Sequence, residues 1–148
     1  MSSPFGELVA IVNPRAGKGR VGEELPELER TLRARGLRYR FETTTGPGDA
    51  TRIARDVLAT GSRFLVAVGG DGTVHLAVNA VAGTGRPLAI VPLGTGNDVA
   101  RHFGLRPTPA NDVWNAPTTQ VDLGHIQCAD GTKRYFAGVA SCGFDAQV

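Results

Sequence analysis

Three runs of this chain are apolar at every position: LVAIV at 8–12, FLVAV at 64–68 and LAIV at 88–91. Each leads into a loop rich in glycine and polar residues, and helical periodicity follows. A strand that is apolar throughout must be covered on both faces, so it belongs inside a parallel sheet flanked by crossover helices. After the first run, Val21, Leu25, Leu28 and Leu32 recur at helical spacing, and Gly36 supplies a stop. Pro26 is expected in the first turn, where proline is tolerated. Residues 37–43 read as a second strand. Asp49 is the expected N-cap of a helix that buries Ala50, Ile53, Val57 and Leu58 and ends at Gly61. Val74, Ala77, Val78 and Val81 share one helical face, and Val99, Ala100 and Phe103 begin a shorter helix stopped by Gly104. The expected fold class is α/β, a parallel sheet with helices on both faces. Right-handed crossovers then bring every strand-to-helix loop to one edge.

The pattern changes near Thr119. Residues 121–128 and 133–139 read as two strands joined at Asp130-Gly131, a strong hairpin signal. A lone hairpin is marginally stable. The expected division is therefore an α/β domain over 1–119 and the opening of a β-rich second domain over 120–148. Unpaired hairpin edges would give the chain a route to homo-oligomers.

The three loops carry the chemistry. Gly69-Gly70-Asp71-Gly72-Thr73 lies between an apolar strand and a helix. Glycines let a phosphate or ribose approach the backbone, and a helix N-terminus offers free N–H groups to an anion. Asp71 brings a carboxylate able to hold Mg²⁺ or take a proton, and Thr73 a hydroxyl able to cap the helix or bond a phosphate. A tight turn with Asp71 as a simple cap is the bland alternative. Residues 13–20 superficially suggest a Walker A loop but lack its spacing, since Lys18 precedes glycine. Asn13, Gly17 and Lys18 remain candidates for a phosphate cradle. In the third loop Gly94, Thr95 and Gly96 suggest close approach by a ligand, with Asn97 or Asp98 capping the next helix. Thr44 ends the second strand on the same edge. His75 and His102 are expected to be packed or solvated.

A formal charge of +2 offers no basis for a nucleic-acid partner. The arginines at 30, 33, 35, 38 and 40 form a solvated face, with attraction to anionic headgroups the lesser alternative. The sequence contains no run long enough to span a membrane and no secretory signal, so a cytoplasmic protein is expected. Cys128 and Cys142 lack metal-ligand spacing and read as free thiols.

The stretches IVNPRAGKGR, TTTGPGDA, VAVGGDGTVHLAVNA, LAIVPLGTGNDVAR and YFAGVASCGFDA together resemble the diacylglycerol kinase catalytic family. Its relatives include sphingosine kinases, bacterial lipid kinases and NAD kinases. PLGTGNDVAR and the final GFDA separate the lipid-kinase branch from NAD kinases. The resemblance implies the N-terminal domain of the NAD kinase/diacylglycerol kinase fold, ATP along the loop edge, and Mg²⁺-dependent transfer of the γ-phosphoryl group to a lipid alcohol at a membrane surface. Position by position, it implies nucleotide contacts from Thr44, Gly69, Gly70, Asp71, Gly72, Thr73, Val74, His75 and Thr95, with Asn13 and Gly17 completing the cradle; the loops themselves add Lys18, Gly94, Gly96 and Asn97 to the expected ATP-binding set. Asp71 is the candidate for metal or proton handling. Leu76 departs from the acidic residue usual three positions after the GGDGT threonine. In bacterial members the general base lies in the second domain, so it is expected beyond Val148, and residues 1–148 alone are expected to be inactive. A non-catalytic nucleotide-sensing module and an NAD kinase-like enzyme are the alternatives.

Overall fold

The computed structural model describes residues 6–46, 48–61, 64–105 and 117–138. Trp114, Cys142 and the GFDA run at 143–146 lie outside the described residues. Strands β1 (Leu8–Val12), β2 (Tyr39–Thr43), β3 (Leu65–Gly69) and β4 (Leu88–Pro92) form one parallel sheet in the order β2-β1-β3-β4. Helices α1 (Arg20–Ala34), α2 (Asp49–Ala59), α3 (Asp71–Val81) and α4 (Asp98–His102) connect or follow them. The α/β expectation therefore holds.

Alternation along the central strands divides the core in two. Leu8, Ala10, Val12, Val66 and Val68 pack with Val21, Leu28 and Leu32 of α1. Val9, Ile11, Leu65 and Ala67 pack with Ile53 and Val57 of α2, Val74 and Val78 of α3, and Val99 of α4. Both faces of β1 and β3 are thus covered, which is why their sequences are apolar at every position. β2 lies at a sheet edge and its residues are only partly buried or exposed, so its sequence mixes apolar and charged residues.

Several local expectations change. Pro26 falls in the second turn of α1, not the first. It leaves the Gly22 carbonyl without its helical N–H partner, on an exposed stretch where solvent can serve. Asp49 is the first residue of α2 rather than its cap, and Gly48 in the left-handed region precedes it. The hairpin strands are shorter than expected, β5 (Gly124–Gln127) and β6 (Lys133–Phe136). Cys128 N–H donates to Thr132 O, and Gly131 turns through φ 84°. The loop is therefore longer than a two-residue turn.

The arginine face is largely paired. Arg30 meets Glu27, Arg33 donates to Glu29 at 2.8 Å, and Arg40 lies 3.0 Å from Glu42. Tyr39 and Arg33 hold the Glu29 carboxyl below its usual range by hydrogen bonding to it. Local pairing of this kind leaves little net field for an anionic surface.

Candidate functional site

In a parallel sheet all strands end on one edge, so the loops after β1, β3 and β4 are brought together. The chain leaves β1 outward to β2 and later returns past β1 to β3. The crevice between β1 and β3 is thus the point at which the connections diverge, where open α/β sheets bind ligands.

The loops pack directly on one another. A Cβ on Gly94 would lie 2.2 Å from Gly70 Cα, and one on Gly70 would lie 3.1 Å from Gly94 Cα. Gly17, at φ 61°, approaches so closely that a Cβ would lie 2.5 Å from Leu93 O. These three glycines are required for loop-on-loop packing, a role the sequence did not suggest beside the ligand's approach. A Cβ on Gly96 would come within 3.0 Å of an Asp71 carboxylate oxygen. At Gly72, by contrast, a Cβ would meet nothing within 4 Å.

Asp71 has a structural partner. Its carboxylate accepts the Asp98 N–H at 3.0 Å and the Val99 N–H at 3.1 Å. It therefore satisfies donors that the start of α4 leaves free, and its charge complements the helix dipole. Asn97, expected as a cap, folds back instead: Oδ1 accepts Gly94 N–H at 2.9 Å and Nδ2 donates to Gly94 O at 2.8 Å. Asn97 sits at φ 56°, a conformation that asparagine tolerates. Asp71 caps across 27 residues what the local sequence does not cap.

A cavity of about 380 Å³ opens between the ends of β1, β2 and β3. Asn13, Thr44, Gly72 and Thr73 line it, joined by Arg15 and Leu76. Thr73 is only 5% exposed. Its hydroxyl makes no hydrogen bond among the described residues, so a buried donor and acceptor is left at the cavity wall. Thr44 contributes differently, donating its hydroxyl to Val12 O at 3.3 Å. Asn13 Oδ1 accepts the Arg15 N–H at 3.1 Å, which folds the first loop over the cavity. The opposite wall is held by Asp49, whose Oδ2 accepts the Thr45 hydroxyl at 2.7 Å and the N–H groups of Thr45 and Gly46 at 2.9 and 3.1 Å. Those bonds, the Thr45 hydroxyl first, hold the Asp49 carboxyl down at about 2.

The remaining candidates lie elsewhere. Val74 is buried in the second core, and its N–H donates to Gly70 O. His75, Thr95 and Gly96 are exposed and are not among the residues that line the cavity. Lys18 is exposed and left-handed at φ 60°, a conformation that costs a non-glycine residue roughly 1–2 kcal/mol. Gly48 and Ala50 line the cavity without having been singled out. The glycine-rich run before Asp49 was the available signal for Gly48, whereas an alanine on a core-facing helix carries none.

The family model for the diacylglycerol kinase catalytic domain matches residues 7–128. A diacylglycerol kinase of Mycobacterium tuberculosis strain H37Rv is 38% identical over 149 residues, covering 97% of this chain and 48% of that protein. A Pseudomonas fluorescens protein named "Probable lipid kinase YegS-like" is 36% identical over 136 residues, covering 89% of this chain and 44% of its own length. A crystal structure of a diacylglycerol kinase from Bacillus anthracis superposes with a TM-score of 0.64 at 33% identity, covering 75% of this chain and 39% of that one. The chain spans about half the length of the curated relatives it matches. A family pattern running from residue 7 to residue 128, on a sheet that superposes with a solved member, makes this chain a member of the diacylglycerol kinase catalytic domain family.

Proposed function

We propose that the chain supplies the nucleotide side of an ATP-dependent lipid kinase, which transfers the γ-phosphoryl group to a lipid hydroxyl such as that of diacylglycerol. The observation that carries this reading is the buried Thr73 hydroxyl, without a partner among the described residues, on the wall of a 380 Å³ cavity at the loop edge. A buried hydroxyl without a partner costs about 1–3 kcal/mol, and a ligand oxygen in the cavity would remove that cost. Gly72 leaves room beside it, and Arg15 brings a cation to the rim. The lipid acceptor is inferred from the relatives' names.

In the reaction the acceptor oxygen forms a bond to the γ-phosphorus, the bond to the bridging oxygen breaks, ADP leaves and the hydroxyl proton passes to a base. This chain's residues would hold the nucleotide still for that displacement. The base and acceptor wall are proposed to lie in the additional length that the relatives carry. Among the described residues no three His, Cys, Asp or Glu side chains cluster, and both Asp71 oxygens already accept N–H groups. That donor set suits Mg²⁺ arriving on the triphosphate rather than a cation held by the chain alone, and Asp71 is the carboxylate that the glycine-rich motif offers it. When bound, Mg²⁺ would neutralise charge on the phosphates.

No helix among the described residues is long and apolar enough to cross a membrane. We propose cytoplasmic residence with access to the lipid from the membrane surface. Leu76 on the cavity wall favours a second reading, a nucleotide-binding module without catalysis. The intact gene product and residues 1–148 should each be assayed with labelled ATP against diacylglycerol, sphingoid and NAD acceptors. Lipid turnover by a protein that carries the additional length of the relatives, and none by residues 1–148 alone, is expected. Nucleotide binding with no turnover on any acceptor would favour the module, and phosphorylation of NAD the NAD kinase-like enzyme.

A further inference from the structure

Asn79, on the third turn of α3, hydrogen-bonds to the backbone of a residue 56 positions later. Its Nδ2 donates to Tyr135 O at 2.9 Å, and its Oδ1 accepts Tyr135 N–H at 2.9 Å. Nδ2 also donates to His75 O at 2.9 Å, one turn back on the same helix, which restrains the side chain's direction.

The hairpin register explains why Tyr135 is the residue held. Cys128 N–H donates to Thr132 O at the turn. Counting back in twos along the antiparallel ladder makes Ile126–Arg134 and Gly124–Phe136 the hydrogen-bonded pairs. His125–Tyr135 is then a non-bonded pair, so the Tyr135 N–H and C=O point away from β5. The Asn79 carboxamide has the donor and acceptor of a peptide group and takes the place of a neighbouring strand at that one residue. Tyr135 and Ala137 also pack against the core beneath α3, and a Cβ on Gly138 would lie 3.3 Å from Val99 Cγ2. The hairpin is thereby seated on α3, the helix whose first residue is Asp71 of the second loop. Eight residues of helix, about 12 Å, separate that loop from the clamp.

We propose that Asn79 is a positioning residue: it sets the angle between the nucleotide loops and the β-rich segment, and so aligns the acceptor side with the transferred phosphoryl group. The proposal rests on the kinase reading. The relevant variants are Asn79→Leu, which keeps the shape but removes both bonds, and the milder Asn79→Asp, which keeps an acceptor for Tyr135 N–H but sets a carboxylate against Tyr135 O. They should be made in the intact gene product. Hydrogen exchange at the Tyr135 amide, ATP affinity by calorimetry, and kcat with diacylglycerol should be measured.

In Asn79→Leu the Tyr135 amide should exchange at least about tenfold faster, because its only cross-element acceptor among the described residues is gone. kcat should fall by roughly tenfold or more while ATP affinity stays within about threefold, since alignment and not nucleotide binding is lost. Asn79→Asp should fall between, and it serves alone if the leucine variant does not fold. Unchanged exchange would overturn the clamp. Faster exchange with unchanged kcat would overturn the positioning role and leave only a structural one. A wild-type protein without lipid turnover would overturn the kinase reading, and with it the positioning role. The exchange measurement would still report the clamp and so keep the two failures apart.

Discussion

The Asp71 carboxylate accepts the amide of Val99 at 3.1 Å, joining two loops that lie 28 residues apart in sequence. The second loop's acid therefore terminates the third loop's helix, and loop geometry and loop charge depend on the same side chain.

Asp71→Asn should consequently have two effects. An amide can accept one of the two N–H groups but presents its own NH₂ to the other, so stability should fall by about 1 kcal/mol, in the range of lost helix caps. If the charge also serves phosphoryl transfer, kcat in the intact protein should fall by about tenfold or more, with ATP affinity changed far less. Thermal melting, calorimetry and steady-state kinetics on one preparation will separate these effects. Equal turnover would leave Asp71 as a cap only.

Glycine substitutions should sort by what surrounds each residue. Gly94→Ala places a Cβ 2.2 Å from Gly70 Cα. It should cost about 1–3 kcal/mol as the loops are forced apart. Gly72→Ala meets open space on the cavity wall and adds a better helix former at the second position of α3. It should keep or raise the melting temperature while weakening ATP binding. If Gly72→Ala binds ATP as tightly as the wild type, the nucleotide does not occupy this cavity.

Thr73→Val removes the buried hydroxyl and keeps the side chain's shape. With no partner lost, the unliganded protein should be more stable by about 1 kcal/mol. ATP should bind roughly tenfold more weakly, because the ligand loses that hydroxyl. A variant that is both less stable and equally competent to bind would show that the hydroxyl has an internal role.

Asp49 should confer an acid sensitivity on the cavity wall. Its carboxyl is held at about 2, against 3.8 in its ordinary state, so the folded form favours the charged group. Stability from this source is fully present above about pH 4 and is lost as pH falls through about 2. The Thr45–Gly46 segment should loosen over that window. Melting temperature followed from pH 5 to pH 2 should fall more steeply for the wild type than for Asp49→Asn. Parallel curves would mean that other carboxylates govern the acid limb.

Much of the sheet was legible in the sequence because burial on two faces demands uninterrupted apolar runs, which β1, β3 and β4 carry. The loops between strand and helix were legible for the same reason, since glycines and polar residues interrupt those runs. Periodicity and turn chemistry act within a few residues of one another, so a single sequence displays them. Asp71 capping α4, Gly70 packed on Gly94, and Asn79 holding Tyr135 are meetings of residues 24 to 56 positions apart. The first two depend on the order of strands in the sheet, which sets the loops after β3 and β4 side by side, and the third on the packing of the hairpin against the core beneath α3. Local sequence could show that glycines and an acid stood at the loop edge. Only the tertiary structure decided which of them face the cavity and which hold the loops together, because that division depends on the distance between backbones brought together by the fold.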